Sequence, residues 1–338
     1  MNVTKRDKLK LPKRKINKIN LDAKTDIYLP TYSFLITEFH HARQHEAGLL
    51  RDDDDEFLHQ YRVSLRRSRA IISLLKEIFQ PKQSEMLTNT LKSMMQKTNL
   101  LRDLDVYLHK MDDYYDFLEH KHHQGLARFF DDLQSKRSKA FKELKQWMKT
   151  DNYKQQCRQV KGLLEGLSQD PTKAGHIPIL QFGTKVIWKR AQKVLKISQA
   201  LDSDSPDSKL HQLRIECKKL RYLLEYFLPL FPAKSINNQI TTLKQLQDLL
   251  GEFNDSSIQQ LFLADYLATR KPNSHRYLAV ERLLAITEQQ HLTAKNQVIQ
   301  QLVHFADQQN IDSYQSLYTQ VTSRCSFQRE FPGAKVRR

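Results

Sequence analysis

The chain has 338 residues with only 8 Gly and 10 Pro, far fewer turn-forming residues than an all-β sandwich or a loop-rich fold needs. Apolar residues make up 39% of the composition, enough for one large core or two modest ones, so wholesale disorder is excluded. Lys and Arg number 55 against 38 Asp and Glu, and the net charge of +17 favours a polyanionic partner such as nucleic acid, a phosphate polymer or anionic lipid.

The amino-terminal segment, residues 1–24, is rich in Lys and Arg and contains no apolar run that could serve as a signal peptide. Nowhere do 18 apolar residues follow one another, so we predict no membrane segment. The three cysteines lack metal-ligand spacing, which is typical of reduced thiols in the cytoplasm. We therefore predict a cytoplasmic protein with a mobile basic tail at residues 1–24 and a C-terminal extension with a basic end at residues 316–338.

An internal repeat organises the rest of the chain. An offset of 152 residues aligns residues 58–79 with residues 210–231 without a gap, and it pairs His59 with His211 and Arg62 with Arg214. We predict a domain at residues 25–315 that arose by tandem duplication. Repeat one covers about residues 25–168 and repeat two about residues 178–315, and we expect a pseudo-two-fold axis to relate them. Residues 168–178 have the composition of a linker.

Apolar residues recur at spacings of three and four, which predicts an all-α fold of two helical bundles with about four helices each. Residues 52–55 and 203–208 supply acceptors and negative charge where helices should begin, so we predict that both segments are helix caps. The expected helix breaks lie at Gly or Pro residues. They are Pro81, Gly125, residues 162–178, residues 229–232, Gly251 and Pro272.

The repeated segment carries cations on one side of a helix. At 100° per residue, His59, Arg62, Arg66 and Arg69 share a sector of about 80°, and His211, Arg214, Lys218 and Arg221 repeat the arrangement. We call these sets the first and the second stripe. Apolar residues flank each stripe on both sides, so the helix packs against neighbours and its cations must face a wet groove or polar cavity. A row of cations without interspersed Glu suits a linear, evenly charged polymer.

These residues resemble the signatures of the conserved histidine α-helical domain family, known as CHAD. The resemblance covers about residues 27–307 and rests on four blocks. They are His59 with Arg62-Val63, Arg66-Arg67 and Arg69; His211 with Leu213-Arg214, Lys219-Leu220-Arg221-Tyr222 and Glu225; residues 102–106; and Gln247, Leu250-Gly251 and Asn254-Asp255. The resemblance implies a duplicated helical domain with a basic groove that binds inorganic polyphosphate and often sits at polyphosphate granules. Many relatives add an amino-terminal triphosphate-tunnel domain, whose activity we do not expect here.

The predicted polyphosphate ligands are the basic side chains of the repeated segment and one lysine further along each repeat. Arginine can clamp two phosphate oxygens, whereas lysine offers a point charge. Arg67 and Lys219 point about 80° away from the histidines and could instead lie at the rim. The full set is His59, Arg62, Arg66, Arg67, Arg69, Lys92, His211, Arg214, Lys218, Lys219, Arg221 and Lys244.

The two histidines keep three alternatives open: a phosphate donor, a structural hydrogen-bond partner of Asp103 or Asp255, and a metal ligand or phosphorylated nucleophile. Like charges in the stripe should lower the histidine pKa values and keep the imidazoles neutral at neutral pH. The cluster at residues 120–123 is not duplicated, and we predict a solvated loop there.

The sequence thus favours non-catalytic binding of inorganic polyphosphate, with no catalytic residue, no cofactor and no metal site, and with granule association as a further expectation. Nucleic acid, RNA above all, is the alternative partner, but the stripes lack the interleaved aromatics on which bases stack. A metal-dependent phosphoanhydride hydrolase is third, because the acidic residues are scattered singly.

Overall fold

The computed structural model describes residues 9–14, 22–167 and 171–330, with side chains up to residue 319. Within these ranges the chain is helical, as the 3.6-residue periodicity predicted, and only one isolated β-bridge joins Asp26 to Pro178. No helix in the described part of the chain is both long and apolar enough to cross a membrane. In chain order the helices are α1 Tyr28–Gln44, α2 Glu46–Arg51, α3 Asp55–Leu74, α4 Pro81–Gln96, α5 Asn99–His109, α6 Met111–Phe117, α7 His120–Lys149, α8 Asp151–Leu167, α9 Ile179–Gln199, α10 Asp207–Phe227, α11 Ala233–Ala268, α12 His275–Phe305 and α13 Gln308–Glu330.

Two compact units share these helices. The first contains Tyr28–His176 together with Asn273–Val280, and the second contains Ile177–Pro272 together with the chain from Glu281 onward. Helix α12 therefore begins in the first unit and continues in the second. In the first unit α3 packs between α1 and α4, and in the second α10 packs between α9 and α11.

The 152-residue offset extends from sequence to secondary structure. Helices α3 and α10 begin at Asp55 and Asp207, and each is followed by a short 3-10 turn, at Lys76–Ile78 and Leu228–Leu230. Helix α11 spans the same offset positions as α4, α5 and α6 together. The two units thus repeat the order of their elements, and the pseudo-two-fold axis stays a prediction.

The prediction of about four helices per repeat is wrong for repeat one, where the chain forms eight described helices. The extra breaks occur without Gly or Pro, for example between α4 and α5. There the Thr98 hydroxyl donates to the Met95 carbonyl at 2.6 Å and satisfies an acceptor that the helix end leaves open.

The breaks predicted at Gly125 and Gly251 are also wrong, because these glycines lie inside α7 and α11. The break predicted at residues 162–178 is confirmed, although α8 continues past Gly162 to Leu167 before it ends. Gly125 marks a close approach instead. A Cβ atom there would lie 1.9 Å from the carbonyl oxygen of His275, so only glycine lets α7 meet the beginning of α12.

The predicted cap at residues 52–55 is confirmed, since the Asp54 side chain accepts a hydrogen bond from the Glu56 amide at the start of α3. At residues 203–208 the predicted helix start and its negative charge are confirmed, since α10 begins at Asp207, but the predicted side-chain cap is wrong. Pro206 occupies the cap position of α10 without a side-chain cap bond, and the Ser205 hydroxyl bonds Asp202 instead.

The amino-terminal tail and the linker were expected to be mobile and connecting segments. Where the structure describes them, both make contacts with the first unit. In the tail, the Leu9 amide donates to Asp53 and Arg14 pairs with Glu38, so residues 9–14 are held by α1 and the turn before α3. In the linker, Thr172 donates its hydroxyl to the Glu77 carbonyl at 2.6 Å. The remaining tail residues 1–8 and 15–21, linker residues 168–170 and the basic end at 331–338 lie outside the described residues.

Candidate anion-binding faces of α3 and α10

Arg62 is the most buried member of the first stripe and is occupied by protein acceptors. Its Nη1 donates to the Thr98 hydroxyl at 2.5 Å, to the Asn99 side-chain oxygen at 2.8 Å and to the Met95 carbonyl at 3.2 Å. Burial and the neighbouring Arg66 lower the pKa of Arg62 to about 10. Arg62 therefore stabilises the turn between α4 and α5, a role the sequence analysis did not foresee.

Arg66 and Arg69 extend the first stripe along α3. Both side chains are half-buried, and Arg69 lies 3.5 Å from the Met95 sulfur. Arg66 has no ion pair within the described residues. The exposed Lys92 lies three residues before Met95 and hence on the same side of α4 as the residue that Arg69 contacts.

His59 stands at the N-terminal end of the stripe in a partly desolvated position. Burial, then Arg102, lowers the pKa of His59, with Arg66 acting in the same direction and Glu56 and Asp55 opposing it. The predicted direction is thus correct for His59, but burial outweighs the like charges. No hydrogen bond joins His59 to Asp103 in the described part of the chain.

Arg102 on α5 belongs to this site, although the sequence analysis quoted it only within a motif. Its Nη1 donates to Asp55 at 2.9 Å, and Asp55 also lies 2.9 Å from Nε2 of the exposed His109. Burial alone would raise the pKa of Asp55, but the hydrogen bond from His109 and the charge of Arg102 lower it below its ordinary value. Asp55 thus holds a cation beside the first stripe.

The second stripe lies on α10, where His211, Arg214, Lys218 and Arg221 are all half-buried. The centroid of the His211 ring lies 5.1 Å from that of the Phe253 ring. The Phe253 ring also stacks on the ring of His291, with their centroids 4.6 Å apart. Arg221 lies 3.4 Å from Glu225, one turn further along. The described residues contain no hydrogen bond between His211 and Asp255.

Asp207 repeats the role of Asp55 with partners from a different helix. It accepts from Nε2 of His291 at 2.8 Å and from Lys295 at 3.2 Å, both on α12. Sequence comparison between the repeats could not find this pair, because α12 is not aligned with α5 by the 152-residue offset.

Helix α11 contributes two further polar residues near the second stripe. Lys244 is exposed, and Gln247 lies three residues later, at the position that Met95 holds in the first unit. Gln247 is only 7% exposed, and its amide has no hydrogen-bond partner within the described residues, which leaves an open donor and acceptor beside α10. The motif containing Gln247 was the one available signal for it.

The opposite faces of α3 and α10 carry cations that are already neutralised. Arg67 lies 3.5 Å from Glu38 on α1, which also pairs with Arg14. Lys219 lies 3.0 Å from Glu216, and this glutamate is buried like Glu38. Arg67 and Lys219 are therefore placed away from the stripes, at interfaces between helices.

Among the described side chains, the acids and histidines form no cluster suited to a metal ion. Within the described side chains no group of three or more His, Cys, Asp or Glu could hold a metal ion. The predicted loop at residues 120–123 is wrong, because His120 is the first residue of α7. Cys157 and Cys217 are buried free thiols, and Cys325 lies outside the described side chains.

The all-α fold of the chain is found in known structures. The chain resembles the CHAD domain from the plant Ricinus communis with a TM-score of 0.68 and 21% identity, covering 83% of this chain and 93% of that one. It also resembles PptA from Streptomyces chartreusis with a TM-score of 0.63 and 17% identity, covering 83% of this chain and 99% of that one. At these identities the likeness shows a shared all-α fold.

The match of the sequence to a family model identifies the protein family of this chain. The CHAD domain matches residues 34–264, which is more than half of the chain and includes both stripes. The chain therefore belongs to the CHAD domain family, as the repeated histidine and arginine signatures indicated. No curated protein matches it significantly.

Proposed function

We propose that the stripes on α3 and α10 bind inorganic polyphosphate and that they bind it without catalysing its cleavage. The observation that carries this proposal is the separation of charge around α3. Arg67 on the opposite face is neutralised by the buried Glu38, whereas Arg66 on the stripe face has no ion pair in the described chain. On α10 Lys219 is likewise neutralised by the buried Glu216, and Arg221 of the second stripe pairs with Glu225. A polymer of phosphates supplies the missing negative charge at regular spacing.

The chemistry of the stripe suits a phosphate oxygen. Arg66 and Arg69 are separated by about one helical turn, so their guanidinium groups can contact neighbouring phosphates of one chain. The neutral His59 beside them can donate one further hydrogen bond. Membership of the CHAD family agrees with this ligand, and binding in the cytoplasm at polyphosphate granules is part of the same proposal.

The test compares charge reversal in the stripes with an equal charge reversal elsewhere on the surface of the chain. We expect Arg66→Glu with Arg69→Glu, and separately Lys218→Glu with Arg221→Glu, each to weaken polyphosphate binding about a hundredfold, since two charge-assisted contacts are lost. Lys139→Glu with Lys142→Glu on the exposed side of α7 changes the net charge equally and should have little effect. Calorimetric titration with polyphosphate of defined length at fixed salt measures the difference.

RNA and orthophosphate at matched salt complete the experiment. Affinity should fall steeply with salt, because each neutralised phosphate releases counterions. Equal losses in the α7 control would show that only net charge matters and would end the proposal. RNA binding tighter than polyphosphate at equal phosphate concentration would instead favour a nucleic-acid partner.

A further inference from the structure

A cavity of about 750 Å³ lies in the first unit between α1 and α8, away from every residue of the stripes. We call it the α1–α8 cavity. Its volume falls within the range of about 300 to 1,000 Å³ that is usual for small-molecule sites. Apolar side chains from three helices form much of its wall. They are Ile36 and Phe39 of α1, Met148 of α7 and Leu164 of α8.

One side of this cavity is cationic. Lys154, Arg158 and Lys161 follow one another on a single face of α8 and line the cavity. Lys154 lies 3.0 Å from Asp151 and Lys161 lies 3.7 Å from Glu165, but Arg158 has no ion pair in the described chain. The rim therefore carries an uncompensated positive charge beside an apolar wall.

The cavity is also lined by three polar residues that hydrogen-bond to one another, Arg43, Glu46 and Tyr153. Nε of Arg43 donates to Glu46 at 2.5 Å, and the Tyr153 hydroxyl also donates to Glu46. Arg43 also acts on the Cys157 thiol through a side-chain hydrogen bond, and its guanidinium carbon lies 5.9 Å from the centroid of the Tyr153 ring. Burial raises the pKa of Glu46, and the bonds from Tyr153 and Arg43 oppose that rise. Glu46 and Arg43 are thus held by each other and by Tyr153, and the lining cation without an ion pair in the described chain is Arg158.

We propose that the α1–α8 cavity binds a small amphipathic monocarboxylate, a molecule with an apolar chain and one carboxylate. The chain would lie against Phe39 and Leu164, and the carboxylate would meet Arg158 between Lys154 and Lys161. A neutral apolar ligand would leave the rim cations unused. A polyphosphate chain would lose water against the apolar wall without compensation, so this site is distinct from the stripes.

Decanoate is the probe, titrated into the full-length protein by calorimetry beside decanol and hexanoate. We expect saturable decanoate binding, with affinity falling about fourfold for each methylene removed towards hexanoate. Decanol should bind at least tenfold more weakly than decanoate, because it lacks the charge. Trp147 contacts Tyr153 with ring centroids 4.7 Å apart, so tryptophan fluorescence gives a second readout.

The variant Arg158→Glu with Lys161→Glu should weaken decanoate binding at least tenfold and leave polyphosphate binding unchanged. The matched control, Lys139→Glu with Lys142→Glu, and the stripe variant Arg66→Glu with Arg69→Glu should both retain decanoate binding. No saturable binding below about 1 mM, the weak end of specific recognition, would overturn the proposal. Equal binding of decanol, or full decanoate binding by the rim variant, would overturn it as well.

Discussion

The interface behind the stripe helix is built from different residues in the two units. In the first unit the buried acid, Glu38, lies on α1, and its cation, Arg67, lies on α3. In the second unit the acid, Glu216, lies on the stripe helix α10, and Arg190 on α9 stands at the position that corresponds to Glu38. The acid has thus moved from one helix to the other between the repeats.

The two units therefore share charge compensation behind the stripe helix, although they do not share the residues that provide it. Burial alone would raise the pKa of Glu216, but hydrogen bonds from Lys219, Lys193 and Arg190 lower it below its ordinary value. A charge-compensated cluster persists behind each stripe although its residues changed, because a buried unpaired charge is too costly. The stripes, in contrast, keep a basic residue at every matching position, although Lys218 stands where the first stripe has Arg66. Structural need retains the balance of charge, whereas ligand binding would retain the cations themselves.

The largest effect should come from Arg62, the stripe member that serves the fold. Arg62→Met leaves the acceptors of Met95, Thr98 and Asn99 without their donor, so we expect the free energy of unfolding to fall by about 3 kcal/mol. Arg66→Met should change it by less than about 0.5 kcal/mol while still weakening polyphosphate binding. Urea unfolding of both variants measures the contrast. Equal stabilities would remove the structural role of Arg62.

Acid should destabilise the first unit through His41, whose counterpart in the second unit is Lys193. Burial lowers the pKa of His41 to about 4, and the charges of Arg14, His45 and Arg67 act in the same direction. A hydrogen bond from the His41 ring to the Pro12 carbonyl opposes this shift. The unfolded chain therefore takes up the proton first as pH falls below about 6.5, and the stability contributed by neutral His41 is lost towards pH 4.

Between about pH 7 and pH 5 this loss should reach about 2 kcal/mol in the free energy of unfolding. His41→Gln should reduce the pH dependence by that amount, as measured by urea unfolding at the two pH values. A pH dependence identical in the variant and the parent chain would contradict this origin.

Ligand binding should couple to protonation at His59. Its pKa is lowered by burial, Arg102 and Arg66, and a bound polyanion reverses the local field, so binding should take up as much as one proton per chain at this site. Affinity should rise as pH falls from about 8 to about 6. Calorimetry in two buffers of different ionisation enthalpy measures the uptake. His59→Gln should abolish this contribution, whereas His304→Gln, an exposed control in the second unit, should keep it.

The smallest effect should come from the aspartates that hold cations beside each stripe. Asp55→Asn releases Arg102 and His109, and Asp207→Asn releases Lys295 and His291. Since partly exposed ion pairs are worth about 1 kcal/mol or less, polyphosphate affinity should rise by no more than about fivefold in either variant. Weaker binding in both variants would show that these aspartates orient the cations for the ligand instead.

The sequence predicted those features that depend on periodicity and on repetition. The helical spacing predicted an all-α fold, and the 152-residue offset predicted that α3 and α10 correspond. The break between α4 and α5 could not be predicted, since it depends on Arg62 reaching Thr98 and Asn99 from another helix. Glycine rules failed at Gly125 for the same reason, because the residue that requires it, His275, is 150 positions away.

The sequence predicted which basic residues form the stripes, but not the contacts that these residues and their neighbours make. Charge repetition identified the stripes, but whether Arg67 and Lys219 belong to them depended on Glu38 and Glu216, which the repeat does not align. Asp207 and Lys295 come together only through the packing of α12. Contacts between helices distant in sequence leave no periodic pattern, so such residues escape a reading of one sequence.

The course of the chain through the two units sets an order of assembly during synthesis. Arg276, in the opening turns of α12, donates to Asp132 of α7 and belongs to the first unit, although the whole of Ile177–Pro272 is made before it. At about 5 to 20 residues per second the ribosome needs roughly 5 to 20 s to pass through that segment. The contacts between α7 and the beginning of α12, at Gly125 and Asp132, can therefore form only after most of the second unit has been translated.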